Sequence, residues 1–362
     1  MPPGERIAVA GAGIIGCAVA FELSRRGAAV TLFDGRGAAG GATQASAGIL
    51  APYTEAHAGG ALFDLTVRGL AVYDEFVDRV RAVSPVPFEY RRSGTLEIAE
   101  DAGRAEELRR RLAEPWAGSS GLHWLDAEAL QAIVPFVSAT CVGALASPVH
   151  AHVAVPSFTA AIVDAAERLG AESRFHTPVG RIELRPDVLV VHTEHAPHVF
   201  DRVVLAAGSW TPRIDPTGGS SGRIKPVRGQ LVRLHSTELG LRTVLWGRSC
   251  YIVPWEDGTL LVGATIEDVG FDERATAEGV GGLLTAAEEL IPSLSSATFV
   301  DVRVGLRPGT ADGLPMLGAA RDPRVLYATG HFRNGILLAP LTATLIADYV
   351  FENRKDPAFS AT

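Results

Sequence analysis

The chain opens on a short unbroken apolar run, Ile7 to Ala10, followed by Gly-x-Gly-x-x-Gly at Gly11, Gly13 and Gly16. From Ala18 to Arg26 apolar side chains recur at helical spacing, and a second apolar run, Ala29 to Phe33, ends at Asp34. Strand, glycine turn, helix, strand and acid in that order predict the first unit of a dinucleotide-binding parallel sheet. Gly11 makes the tight turn, Gly13 lets backbone N–H groups approach a pyrophosphate, and Gly16 lets the helix sit close on the strand. Asp34 is placed to hold a ribose hydroxyl. Cys17 reads as a small buried thiol.

Farther along, residues 157–171 have helical apolar spacing with a stop at Gly170, ahead of a strand near Val179 that approaches an adenine. Asp201 to Trp210 is an apolar strand ending in Ala-Ala-Gly at Gly208, and Val325 to Ala328 is a strand that delivers the chain to Gly330. A helix begins near Gly335, with its free N–H groups aimed at what lies ahead. Tyr90 to Glu100 is strand-like. Ser249 to Glu267 alternates around Asp257-Gly258, a two-residue hairpin signal. That turn sets Glu256 opposite Thr259, hence Tyr251 opposite Ala264 with Ile266 diagonally on the same face. Val300, Val302, Val304 and Leu306 alternate with polar residues, so the valines point into a core and Arg307 to the opposite face at the strand end, where Pro308-Gly309 turns the chain. Asp215 to Pro226 reads as the most mobile loop.

These elements predict an α/β protein with an FAD-binding Rossmann-like domain. FAD is preferred over NAD because the chain after Asp34 runs through Gly35, Ala42, Thr43, Ser46, Ala47, Gly48 and Ile49, a small-residue loop able to lie along an extended ligand. The small residues up to Gly208 suit a long dinucleotide crossing the sheet.

Charge changes the picture by exclusion. A net charge of -8 argues against a nucleic-acid surface. The longest basic run, Arg109 to Arg111, reads as part of a solvated helix. Three scattered cysteines make neither a disulfide framework nor a zinc site, which fits a reducing cytoplasm. No metal is expected. No apolar run approaches the roughly 18 residues a membrane span needs, so no membrane partner is expected.

The stretches VAGAGIIG, GGATQASAGIL, CYIVP, VGATI, GLRPGTADGLPMLG and GHFRNGILLAP, spread from residue 9 to residue 340, resemble the D-amino acid oxidase family of flavoproteins, in its thiamine-pathway glycine oxidase branch. The resemblance implies that the cofactor domain is discontinuous, residues 1–84, 150–224 and 301–362, with an inserted α+β substrate domain, residues 85–149 and 225–300, on a mostly antiparallel sheet. It implies noncovalent FAD, a homo-oligomer, and oxidation of small amino acids (glycine, sarcosine, D-alanine) by molecular oxygen to a 2-oxo acid, ammonia or amine, and hydrogen peroxide. It makes Arg307 the carboxylate clamp, Tyr251 its companion, and Arg333 a residue of the substrate side, with Ile49, Ser249 and Ile266 lining the pocket. It also extends the cofactor contacts to Ile14, Ile15, Val179, His331, Phe332, Arg333, Asn334, Gly335, Ile336 and Leu337; His331 has no catalytic role. Ile266 stands where the branch has methionine and Ser249 where it has histidine, so substrate preference is less secure than reaction type. Gly305 occupies the region where sarcosine oxidases carry a flavin-linked cysteine. The alternatives are a broader D-amino acid oxidase, a dehydrogenase and a non-catalytic flavin-binding protein.

Overall fold

The structure is a computed structural model that describes residues 4–55 and 59–359. The first expected unit forms as a strand, Arg6–Ala10, a helix, Ile14–Arg25, and a strand, Ala29–Phe33. Arg6–Ala10 lies at the centre of a six-stranded sheet, with Ala29–Phe33 and Glu172–Arg174 on one side and Arg202–Leu205, Val325–Thr329 and Met316–Ala319 on the other. Every pairing is parallel except that of the last two strands. Because these strands are covered on both faces, their side chains are apolar without alternation. Helices Ile14–Arg25, Val155–Arg168 and Gly335–Glu352 cover one face through Phe21, Phe158 and Ile346; a three-stranded sheet covers the other through Val191 and Phe200.

A second, eight-stranded sheet is antiparallel at every pairing except Val244–Trp246 with Thr95–Ala99. Its side chains do alternate. Val232, Ile252 and Val262 pack under the helix Ala277–Leu290, while Leu231, Val253 and Leu261 face the opposite way, toward Ala47. The strand Thr298–Thr310 edges this sheet and pairs with Ile224–His235 along its whole length. It continues through Pro308-Gly309 instead of turning there. An edge strand tolerates proline because the missing N–H has no ladder partner to lose. The expected boundary at residue 301 therefore falls inside a strand, and we propose that the second cofactor-domain break lies after Thr310. Phe299 and Val300 are 52% and 42% exposed, so the strand's valines enter the core only from Val302 onward.

Three other expectations change. The segment expected to be most mobile is tied down by Asp215, which accepts from the Ser220 N–H and hydroxyl and from the Tyr327 hydroxyl. Arg111 does not lie on a solvated face: its guanidinium meets the buried Glu97 carboxylate at 2.6 Å and the Tyr53 carbonyl. The helix Gly335–Glu352 is long and apolar enough to cross a bilayer, yet 78% of it is buried inside the protein, where it serves as the central core helix.

Three histidines sit deep in the interior. Burial pushes His150 down to about 3, helped by Arg111 and Arg92, His152 to about 4, helped by Arg91, and His331 to about 3. All three fold as neutral imidazoles, so as pH falls the unfolded chain takes up protons first. A depressed histidine pKa therefore withdraws stability as pH drops below about 6.5, by about 1.4 kcal/mol per histidine at pH 5.5, or about 4 kcal/mol for the three. Urea unfolding at pH 7.5 and 5.5 measures this. A loss of that order is expected, and equal stability at the two values would show that these imidazoles charge freely in the folded state.

Candidate active site

The carboxyl ends of the parallel strands open on one cleft of about 700 Å³, lined by Ala10, Phe33, Ala206 and Thr329. Its position, where the strand order reverses around Arg6–Ala10, is where open α/β sheets hold ligands. The glycines around it show why this turn has no side chains. A Cβ on Gly11, at φ +110, would lie 2.4 Å from the Ala206 carbonyl oxygen; one on Gly16 would lie 1.8 Å from the Gly11 oxygen. Strand, turn and helix thus close to backbone contact, leaving the helix entrance facing the cleft. The Thr43 hydroxyl accepts from the Ile14 N–H at 3.0 Å, binding the small-residue loop to that entrance.

Asp34 closes the same end. Its carboxylate accepts from the N–H groups of Ala12 at 2.8 Å, Arg36 at 2.7 Å and Gly37 at 3.1 Å. Of about four acceptor sites on a carboxylate, roughly one remains for a ribose hydroxyl. The cradle therefore fits an adenosine diphosphate end, with Val179 and Gly208 on the cleft wall.

The eight-stranded sheet roofs the other end. The hairpin closes through a three-residue loop, in which the Trp255 N–H donates to Thr259 O and Gly258 takes φ +83. Tyr251 consequently faces Gly263, one residue away from the expected partner Ala264. The slip is set by the left-handed glycine ending a tight turn, a geometry longer by one residue than the two-residue hairpin the Asp-Gly pair suggested. It has a use: a Cβ on Gly263 would meet the Tyr251 hydroxyl at 2.4 Å, so the bare glycine lets the phenol lie flat across the sheet. Ile266 lines the cleft but falls beyond the strand and is 58% exposed, so it does not share the Tyr251 face of the hairpin as its expected register implied.

Arg307 has a similar seat. It lies opposite Val227 in the sheet, and its guanidinium covers Gly229, where a Cβ would approach Nη2 to 2.2 Å. Its Nη1 donates to the Thr265 carbonyl at 2.9 Å. The Phe332 N–H donates to Pro308 O at 3.0 Å, so the loop carrying Arg333 is bonded to the strand carrying Arg307. His331 is buried, with Nε2 bonded to the Thr342 hydroxyl at 2.9 Å, and anchors this loop.

One cleft gathers Tyr251, Arg307, Arg333, Ile49, Ser249 and Ile266 together with the glycine turn and its loop. Three expected cofactor contacts lie off it. Gly16 packs helix on strand, Leu337 is buried among Leu70 and Ile346 in the core, and Asn334 holds the N-cap position of the helix with no capping bond from its side chain. The sequence reading missed Trp246, whose ring packs 5.3 Å from Tyr251, and the cleft residues Arg36, Trp210, Arg213 and Arg248. No local signal marked these five: the strand glycines Gly263, opposite Tyr251, and Gly229, under the Arg307 guanidinium, point only to residues already expected. Five arginines and one aspartate line the described cleft, an environment made for anionic ligands.

A mainly parallel sheet with this cradle, covered by helices on one face and roofed at its cleft by a second sheet that carries an arginine and a phenol, defines a dinucleotide-binding oxidoreductase. The family described as FAD dependent oxidoreductase matches residues 6–349, and the chain belongs to it. It is 34% identical over 357 residues to the glycine oxidase of Geobacillus kaustophilus (strain HTA426), covering 98% of this chain and 94% of that one. It is 35% identical over 359 residues to the bifunctional protein ThiO/ThiG of Nostoc sp. (strain PCC 7120), covering 98% of this chain but 54% of that one, so it spans about half of that relative's length. The crystal structure of glycine oxidase from Geobacillus kaustophilus superposes with a TM-score of 0.92 at 33% identity, covering 98% of this chain and 97% of that one.

The seat of Arg307 can be tested without removing its charge. Gly229→Ala places a methyl group where the guanidinium lies and should cost on the order of 1–3 kcal/mol in carboxylate binding. The dissociation constant of a small carboxylate ligand, read from the visible spectrum of the FAD-loaded protein, should rise accordingly while FAD stays bound. An unchanged constant would mean that Arg307 does not hold the ligand.

Proposed function

We propose that this chain is an FAD-dependent oxidase of glycine and other small amino acids, sarcosine and D-alanine among them, and that it belongs to the thiazole branch of thiamine synthesis. The observation that carries the reading is the seating of Arg307 and Tyr251, each over a strand glycine, at the roof of a cleft whose floor is a dinucleotide cradle. The thiamine link rests on likeness to the ThiO/ThiG relative.

When bound, FAD would supply the two-electron acceptor, with oxygen as the final oxidant and hydrogen peroxide as its product. The chain's own residues orient the substrate. Arg307 holds the carboxylate through its planar fork, a charge-assisted contact far stronger in a closed cleft than in water. The Tyr251 hydroxyl is its companion, and Arg333 adds positive charge on the substrate side. Trp246, Tyr251 and Ile49 leave room near the clamp for a small amino acid. The N–H groups of Gly335 and Ile336 at the helix entrance face the cleft and stabilise negative charge developing there. The product imine hydrolyses to a 2-oxo acid and ammonia, glyoxylate in the case of glycine. His331, neutral and bonded to Thr342, takes no proton in this scheme.

The cofactor is held without a covalent bond. Gly305 packs against Ala42 and Ala45, where even a Cβ would come within 3.0 Å, which leaves no place for a linking cysteine. Cys17, Cys141 and Cys250 are buried, their thiols pushed up in pKa by that burial. Acid precipitation should release all of the FAD into the supernatant. Yellow colour retained in the pellet would overturn this point.

Turnover tests the whole reading. In air, glycine should yield peroxide, ammonia and glyoxylate in equal amounts, and D-phenylalanine should be a poorer substrate than glycine. Arg307→Ala should keep FAD and lose on the order of 2–5 kcal/mol of transition-state stabilisation, measured as kcat/KM. Equal glycine turnover by this variant would remove the clamp assignment. Faster turnover of D-phenylalanine would move the protein to a general D-amino acid oxidase. The sequence also offers a loop around Tyr53 and His57 whose opening would admit bulkier side chains; Tyr53 lies in the helix Pro52–Glu55, and His57 lies outside the described residues.

A further inference from the structure

The segment that follows the hairpin lines the cleft at Ala264 and Ile266 and is then fastened to the cofactor domain through Phe271 and Glu273. It is fixed at its root by the buried Arg228, whose guanidinium pairs with Glu267 and, at 3.0 Å, with Asp272, and by Gln230, which bonds Glu267 at 2.8 Å and Thr276 at 2.9 Å. From that root Glu273 reaches Arg36, meeting both guanidinium nitrogens at 2.8 and 2.6 Å. Arg36 lies two residues beyond Asp34, at the adenosine end of the cradle, and its guanidinium also sits 4.8 Å from the Trp210 ring centroid. Trp210 packs on Phe271 at 5.7 Å, and Arg213 covers the other side of Phe271 at 4.1 Å. Arg36, Trp210 and Arg213 all line the cleft. The strap thus arises from the roof sheet but closes on the cofactor domain, through one ion pair and one arginine–aromatic stack.

We propose that residues 268–276 are a latch at the adenosine half of the cofactor cleft, and that FAD enters and leaves only when the Arg36–Glu273 pair and the stack on Phe271 open. The proposal rests on the reading of the cleft as an FAD site. Both partners of the ion pair are half-exposed, 48% and 32% at their side chains, so the pair is screened by salt and opens at modest cost. The fastening uses protein groups on both sides, and this separates a latch from an ordinary ligand contact. Deleting a group that touches the bound ligand speeds release alone. A weakened latch speeds uptake and release together and leaves the equilibrium constant almost unchanged.

The test follows flavin fluorescence by stopped flow, with FAD uptake by deflavinated protein and FAD release into an apoflavoprotein trap, at ionic strengths from 0.01 to about 1 M. Glu273→Gln should raise both rates about 2- to 5-fold at low salt, the range of a partly exposed ion pair, and the parent should converge on the variant as salt screens the pair. Phe271→Ala should raise both rates with little dependence on salt. Parent rates in both variants at every salt would overturn the latch, as would a rise in release alone, which would assign these residues to direct FAD contact. Failure of the parent to bind FAD at all is a separate result and would refute the cofactor reading itself.

Discussion

A backbone hydrogen bond from the Phe332 N–H to the Pro308 carbonyl, seconded by the Ser209 hydroxyl on the Leu306 carbonyl, joins the cofactor domain to the edge strand of the roof beside Arg307. On one side of it the parallel sheet ends in Val325–Thr329 and the chain turns through Gly330 and Phe332, both at positive φ, into the core helix. On the other side runs the edge strand that carries Arg307. The helix entrance and Arg307 are therefore tied to each other through this bond. His331, bonded inward to Thr342, keeps the loop from sliding, and its burial is the reason it stays uncharged.

The site is shaped by missing side chains as much as by present ones. Gly11 and Gly16 allow three backbone segments to meet, which brings the helix entrance to the cleft, while Gly229 and Gly263 bare the sheet so that Arg307 and Tyr251 can lie across it. Flat placement of a guanidinium on backbone, with one N–H already given to Thr265 O, restricts its rotamers before any ligand arrives. Five arginines around the cleft would repel one another, and two of them are balanced by acids on neighbouring segments, Arg36 by Glu273 and Arg248 by Asp101.

Much of this was legible in the chain. Local signals were strong where a period and a glycine pattern coincided, so the first strand, helix and second strand fell within a few residues of their expected limits, and Ala29–Phe33 matched throughout. The hairpin was legible as a hairpin but not in register, because Asp-Gly suits both a two-residue turn and the end of a three-residue one. Arg111 and Asp215 misled for a different reason. Tyr327 is 112 residues beyond Asp215, and Glu97, 14 residues before Arg111, is a carboxylate buried in a strand, so neither polar residue betrays its partner until the fold is known. The same holds for Trp246, which reaches Tyr251 only because a four-residue connection folds it back.

The central claim is that the carboxylate seat on Arg307 and the dinucleotide cradle form one working site. Anaerobic titration of the FAD-loaded protein with glycine tests it most directly. Full bleaching of the oxidised flavin band with one glyoxylate formed per flavin, and no bleaching in Arg307→Ala at the same glycine concentrations, is the predicted result. A flavin band that stays oxidised at saturating glycine, or one that bleaches equally in the variant, would contradict it.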